Sequence, residues 1–203
     1  MEIKRLLCGE YAQNTYLVLP EGRADCFLVD AGDDAEKIAA AVVRSGRTLA
    51  DILLTHGHFD HMLAADALRC KTGAKIWIDE GDAEMLSGAM DNQYQAHYVP
   101  FAADAFYPRD GKIEICGMQI QTIYTPGHTP GGTCFLVGDV LFTGDTLFAH
   151  GYGRFDMEGG SAATLRQSLQ KIFSMFRDGN PRVLAGHDIE SPLDDIRAFF
   201  GIR

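Results

Sequence analysis

No run of about 18 apolar residues occurs in this 203-residue chain, so no membrane-spanning helix is expected. The opening residues, Met1 to Glu10, lack the long apolar stretch of a secretory signal, and a cytoplasmic location is the expectation. Cysteine is sparse and scattered. Cys8, Cys26, Cys70, Cys116 and Cys134 form no C-x-x-C pair, which argues against a disulfide framework or a zinc ribbon and leaves them as small apolar residues. Basic residues are few, with 18 Lys and Arg against 28 Asp and Glu and no basic cluster. The net charge of −10 points away from a nucleic-acid partner; the expected partner is a small-molecule substrate. Low-complexity tracts, long repeats and Pro/Ser-rich linkers are also missing, so a single domain over 1–203 is the simplest division.

What is present is a hydrophobic content of 46% with 23% charge, ordinary for a globular protein with a sizeable core. Strands are predicted at 15–19, 26–30, 52–55 and 74–78, with helices at 35–44 and 62–71 stopped by Gly46 and Gly73. Residues 81–108 read as an irregular stretch that could lie over a site. The second half repeats the rhythm of the first. Strands are expected near 113–115, 118–124, 133–137, 140–143 and 182–185, and helices over 162–176 and 192–200. Strands in runs with helices between them suggest two sheets packed face to face and covered by helices on both sides, an α+β fold.

The chemistry sits in His56-Gly57-His58-Phe59-Asp60-His61, where one short run supplies four ligand-type side chains directly after a predicted strand. In extended chain, side chains two apart point the same way, so His56 and His58 can aim at one point. A turn into the following helix can swing Asp60 and His61 toward a neighbouring point. His128, Asp145 and His187 each follow another predicted strand, within Thr125-Pro126-Gly127-His128-Thr129, Thr143-Gly144-Asp145-Thr146 and Ala185-Gly186-His187. A lone histidine or aspartate in such a turn is more often a cap than a ligand. Five of seven histidines at strand ends fit a metal site far better than chance. Imidazoles and carboxylates suit zinc, iron or manganese, and a carboxylate can bridge two ions. The other two histidines, His97 and His150, default to surface positions, although His150 is near enough to Asp145 in sequence to line the pocket.

The H-x-H-x-D-H run with His128, Asp145 and His187 resembles the metallo-β-lactamase superfamily over nearly the whole chain. Within it, Thr125–Thr129, Thr143–Phe148 and Gly153-Arg154-Phe155-Asp156 are most similar to the short bacterial forms of glyoxalase II. The resemblance implies a four-layered αββα sandwich. It implies two divalent ions, zinc first, with iron and manganese as alternatives. His56, His58 and His128 would hold the first ion, Asp60, His61 and His187 the second, and Asp145 would bridge them. Asp60 would act together with a metal-bound hydroxide, and Asp30 would support the ligands from behind. Arg154 could hold a substrate carboxylate.

The implied activity is hydrolysis of a thioester of the S-2-hydroxyacylglutathione type or a related small thioester. Full-length glyoxalase II enzymes carry a further C-terminal helical region that contacts glutathione, whereas this sequence stops soon after His187 and reads Asp188-Ile189-Glu190-Ser191-Pro192 there. The glutathione part of the substrate is therefore left open. The same scaffold carries mononuclear-iron persulfide dioxygenases, for which His56, His128 and Asp145 would serve. A β-lactamase is less expected because those enzymes do not use a bridging aspartate at the position of Asp145. A nuclease is disfavoured by the acidity, and a non-catalytic metal-binding module by the open positions this ligand set should leave.

Overall fold

The computed structural model describes residues 1–90 and 98–202. His97 therefore lies outside the described residues, as does part of the stretch read as irregular. The first sheet is formed, in spatial order, by β1 (Glu2–Cys8), β2 (Gln13–Leu19), β3 (Asp25–Val29), β4 (Thr48–Leu53), β5 (Lys75–Ile78) and β6 (Ala105–Phe106). Its first three strands are antiparallel neighbours, and from β3 onward the pairing is parallel. The second sheet runs β12 (Ser191–Pro192), β11 (Arg182–Ala185), β10 (Val140–Gly144), β9 (Thr133–Val137), β8 (Met118–Tyr124) and β7 (Lys112–Ile115). Only its β10–β11 pair is parallel.

Alternation along the strands builds the layers. In β2, Tyr16 and Val18 face the second sheet while Leu17 and Leu19 face helices; Phe27 and Val29 against Cys26 and Leu28 do the same in β3. From the other side, Phe135, Val137, Phe142 and Leu184 close the space between the sheets. Every one of these is buried, as the two-residue period of a strand covered on both faces requires. The helices α1 (Ala35–Ser45) and α3 (Ala65–Thr72) cover the first sheet through Ile38, Val42 and Leu68. On the opposite face α5 (Ala162–Met175) and α6 (Leu193–Phe199) contribute Ile172 and Ile196 to a third cluster with Ile123, Cys134, Leu141 and Val183. The architecture is the αββα sandwich.

Several boundaries differ from the sequence reading for identifiable reasons. β1 has largely exposed or half-buried side chains and is held at the sheet edge by its ladder with β2, so no apolar pattern announces it. The expected helix over 62–71 is two pieces, a single turn α2 (Phe59–Met62) and then α3. The stretch read as irregular contains regular elements: a 3-10 turn Glu80–Asp82 leads into α4 (Ala83–Ser87), and β6 adds to the sheet edge. No helix among the described residues is long and apolar enough to cross a membrane.

Candidate metal centre

β4 delivers the histidine run to the edge between the sheets. Beyond Leu53, Thr55 is fixed from both sides: its N–H and hydroxyl donate to the Asp30 carboxylate at 2.7 and 2.9 Å, and its carbonyl accepts from Thr133 of the other sheet at 2.9 Å. His58 stays extended at the N-cap of α2, and the turn begins with His61 N–H donating to the His58 carbonyl at 3.0 Å. Extended chain followed by one helical turn thus sends His56 and His58 one way and Asp60 and His61 to a neighbouring point. The remaining three side chains come from the second sheet, after β8, β10 and β11.

The structure brings all seven together. The ring nitrogens of His56, His58 and His128 converge, with His128 Nε2 2.8 Å from His58 Nδ1 and 3.2 Å from His56 Nε2. Asp60, His61 and His187 form a second group, in which His187 Nε2 is 3.0 Å from Asp60 Oδ2. Asp145 lies between the groups: its oxygens are 3.3 Å from His61 Nε2, 3.7 Å from His128 Nε2 and 3.8 Å from His187 Nε2. His56, His61 and Asp145 in turn form a third overlapping ligand-type group.

The network behind these atoms orients them for cations. His128 Nδ1 donates to the Arg154 carbonyl at 2.6 Å, which directs its Nε2 lone pair inward. His61 Nδ1 pairs with Asp30 Oδ2 at 2.8 Å and its Nε2 faces the site. Asp30 holds this position from a left-handed backbone, φ 58°, at the end of β3. Burial, reinforced by His128, pushes the His58 pKa down to about 3. Burial likewise keeps His56 and His128 below the usual histidine range, so this trio presents neutral donors at neutral pH. Burial opposes charge on His61, but the carboxylates of Asp30, Asp145 and Asp60 outweigh it and raise its pKa well above the usual range. Asp145 is the converse: burial disfavours its anion, and His61, His128 and His187 still hold it well below the carboxylate range.

The residues fit divalent cations on one further observation. His58 Nε2, His61 Nε2 and Asp145 Oδ1 are buried with no hydrogen-bond partner among the described residues. Buried polar atoms are normally satisfied, and two of these three point into the cluster of acceptors. A cation facing His61 Nε2 and Asp145 Oδ1 would satisfy both.

A cavity of about 360 Å³ opens over the cluster, lined by His58, Asp60, His128, Asp145 and His187 and rimmed by Tyr11, Phe148, Tyr152, Arg154 and Met157. Arg154 lies on this rim, but its guanidinium is paired with Asp156 at 3.0 Å and is well exposed. His150 corrects the sequence reading and does not line the cavity. The Phe148–Gly151 bridge turns the chain, and His150 pairs with Asp188 at 3.0 Å and packs edge-on against Phe199, on the outside. Sequence reasoning also missed Asp82. This buried carboxylate meets both the Gly57 and the Thr129–Gly131 segments, and an aspartate opening a helix looks from sequence like a simple cap.

Asp30→Ala removes the acceptor of His61 Nδ1 and of Thr55, and metal affinity is expected to fall about 10–100-fold. Calorimetric titration of the chelator-treated protein measures it. Affinity unchanged from wild type would contradict the orienting role.

Residues 8–187 match the family model of the metallo-beta-lactamase superfamily, and the chain belongs to that superfamily. It is 31% identical over 200 residues to the probable metallo-hydrolase YqgX of Bacillus subtilis, covering 95% of this chain and 93% of that protein. It is 30% identical over 194 residues to the hydroxyacylglutathione hydrolase GloC of Haemophilus influenzae, covering 92% and 91%. Among solved structures it is similar to the BLEG-1 B3 metallo-beta-lactamase, with a TM-score of 0.89, 26% identity and 97% of each chain covered. It is also similar to TTHA1623 in a di-iron-bound form, with a TM-score of 0.82, 28% identity and 96% of each chain covered. ETHE1 from Myxococcus xanthus gives a TM-score of 0.82 at 26% identity, with 97% of this chain and 82% of that one covered.

Proposed function

We propose that the protein is a dinuclear metallohydrolase acting on a small thioester, with S-2-hydroxyacylglutathione as the type substrate. The observation that carries the reading is the position of Asp145, within 3.8 Å of ring nitrogens from both ligand groups. A carboxylate so placed can serve two cations at once. Similarity to GloC over most of both chains supports the thioester class. The di-iron form of TTHA1623 supports two ions, with iron as a candidate beside zinc.

Bound cations at this site would activate water near neutral pH and polarise the carbonyl under attack. The protein's own residues do the rest. His56, His58 and His128 would hold one ion as neutral donors, and Asp60, His61 and His187 the other. Asp30 and the Arg154 carbonyl fix the ring orientations of His61 and His128. Tyr11 and Phe59, in edge contact at 5.2 Å, wall the cavity on one side, and Tyr152 and Met157 line it elsewhere. A thiolate leaves without a strong general acid, which suits a site whose histidines are committed to other roles. Arg154 on the rim is placed to meet a substrate carboxylate once it exchanges its partner Asp156.

The test is metal content of protein purified without chelators, together with turnover of S-lactoylglutathione, acyl thioesters of a simple thiol, a β-lactam, a phosphodiester and a persulfide. Two equivalents of metal and preferential thioester hydrolysis are expected. One equivalent of iron with oxygen uptake on the persulfide would replace this reading with the second one, a mononuclear-iron dioxygenase using His56, His128 and Asp145. Arg154→Ala is expected to raise KM for S-lactoylglutathione about 10-fold with little change in kcat, while leaving an uncharged acyl thioester unaffected. Equal effects on both substrates would remove Arg154 from substrate binding.

A further inference from the structure

We propose that Asp82 is a positioning residue that clasps together the two chain segments bearing His56, His58 and His128, and so sets one of the two cation positions independently of the other. The inference rests on the dinuclear reading above. Asp82 opens α4, and its side chain is completely buried. Its Oδ2 accepts from Gly57 N–H at 3.0 Å, between His56 and His58, and from the Thr129 hydroxyl at 2.7 Å, one residue beyond His128. Its Oδ1 accepts from Gly131 N–H at 2.5 Å. One carboxylate therefore ties a strand end of the first sheet to the turn after β8 in the second.

No cation pairs with Asp82 among the described residues, so its charge is met by these three donors alone. Burying a carboxylate on such terms is costly, and burial pushes its pKa up to about 6. An apolar residue would fill the volume at less cost, but it would leave two buried N–H groups without acceptors. The segments are also pressed against it. A Cβ at Gly131 would come within 2.7 Å of Asp82 Cγ, and one at Gly57 would come within 2.7 Å of Met85 Cβ in the same helix. The clasp thus acts as a spacer of fixed length between the two segments.

Its reach is confined to one ligand trio. Asp60, His61 and His187 make no hydrogen bond with Asp82, and His61 is braced by Asp30 instead. A residue that merely stabilised the fold would weaken both cation positions alike, or neither. A spacer of the His56–His58–His128 trio would weaken that position alone.

The test titrates zinc and cobalt into the chelator-treated full chain, with calorimetry and the cobalt absorption spectrum as readouts. Wild type is expected to bind two ions. Asp82→Asn keeps an acceptor for part of the clasp but sets an amide N–H₂ against a donor. It is expected to weaken one position by about 10–100-fold, the range seen when a group orienting a ligand is lost, and to leave the other within a few-fold. In a His187→Ala background, where the trio position is the better-preserved one, Asp82→Asn is expected to weaken that remaining binding by the same factor and to shift the cobalt spectrum. Should Asp82→Asn fail to fold, Thr129→Val removes one donor while sparing the carboxylate, and a smaller loss at the same position is expected. Equal weakening at both positions, or unchanged affinities with only a lower Tm, would overturn the clasp and leave the hydrolase reading standing. A wild-type protein that binds no cation would overturn both.

Discussion

Asp145→Ala is expected to lower kcat/KM for the preferred thioester at least a thousandfold, roughly 4 kcal/mol of transition-state stabilisation, and to leave the purified protein with about one equivalent of metal or less. The size of the effect follows from what the carboxylate faces. Its oxygens lie within 4 Å of His61, His128 and His187, and those three rings together hold its pKa well below the carboxylate range. Elemental analysis beside steady-state kinetics reads both quantities on one preparation. Turnover within about tenfold of wild type would show that bridging by Asp145 is not what the reaction needs.

Gly186→Ala is the second large effect, and it acts without touching any ligand-type atom by deletion. A Cβ at residue 186 would sit 2.4 Å from His61 Cε1 and 2.5 Å from Asp145 Oδ1, with the carbonyl carbon of Gly144 at 3.2 Å behind. Gly186 N–H also donates to the Gly144 carbonyl at 2.8 Å and its own carbonyl accepts from Asn14 N–H at 2.7 Å, so the backbone has little room to retreat. Overpacking of this kind costs about 1–3 kcal/mol of stability. The larger consequence falls on His61 and Asp145, since displacing reacting groups by about 1 Å lowers a rate about 100-fold. Thermal melts and kcat measured on the same variant separate the two. A variant that melts several degrees lower yet retains full kcat would show that the displacement is absorbed elsewhere.

The contrast between these two positions bears on what the sequence makes legible. Asp145 is readable because it follows an apolar strand and belongs with five histidines at other strand ends. Gly186 reads only as part of a turn, because the need for a missing Cβ arises from His61, more than a hundred residues away. Asp82 is opaque for the same reason. Its local context is a helix start, and two of its three partners are backbone N–H groups that carry no residue signature. His150 misleads in the opposite direction. Five residues separate it from Asp145, but the Phe148–Gly151 bridge reverses the chain and delivers the ring to Asp188. Strands β2, β3 and β9 to β11 stand out through runs of Leu, Val, Ile and Phe that are mostly buried. β1 does not, because an edge strand with mostly exposed side chains owes its place to its neighbour rather than to its own pattern.

Thr55 stands at the seam between the two sheets. Its carbonyl bonds to Thr133 in the opposite sheet, and just beyond it the metal centre draws four side chains from one sheet's strand end and three from the other's. Cations bound there would act as rivets across the seam between the two halves of the sandwich. Cations that bind only when both halves are docked add RT ln(1 + [M]/Kd) to the free energy of keeping them docked. The loaded protein should therefore open less often. Hydrogen exchange at Thr133 and Asn14, whose amides bridge the seam to Thr55 and Gly186, should slow on adding metal by far more than exchange at the outer edge of β1.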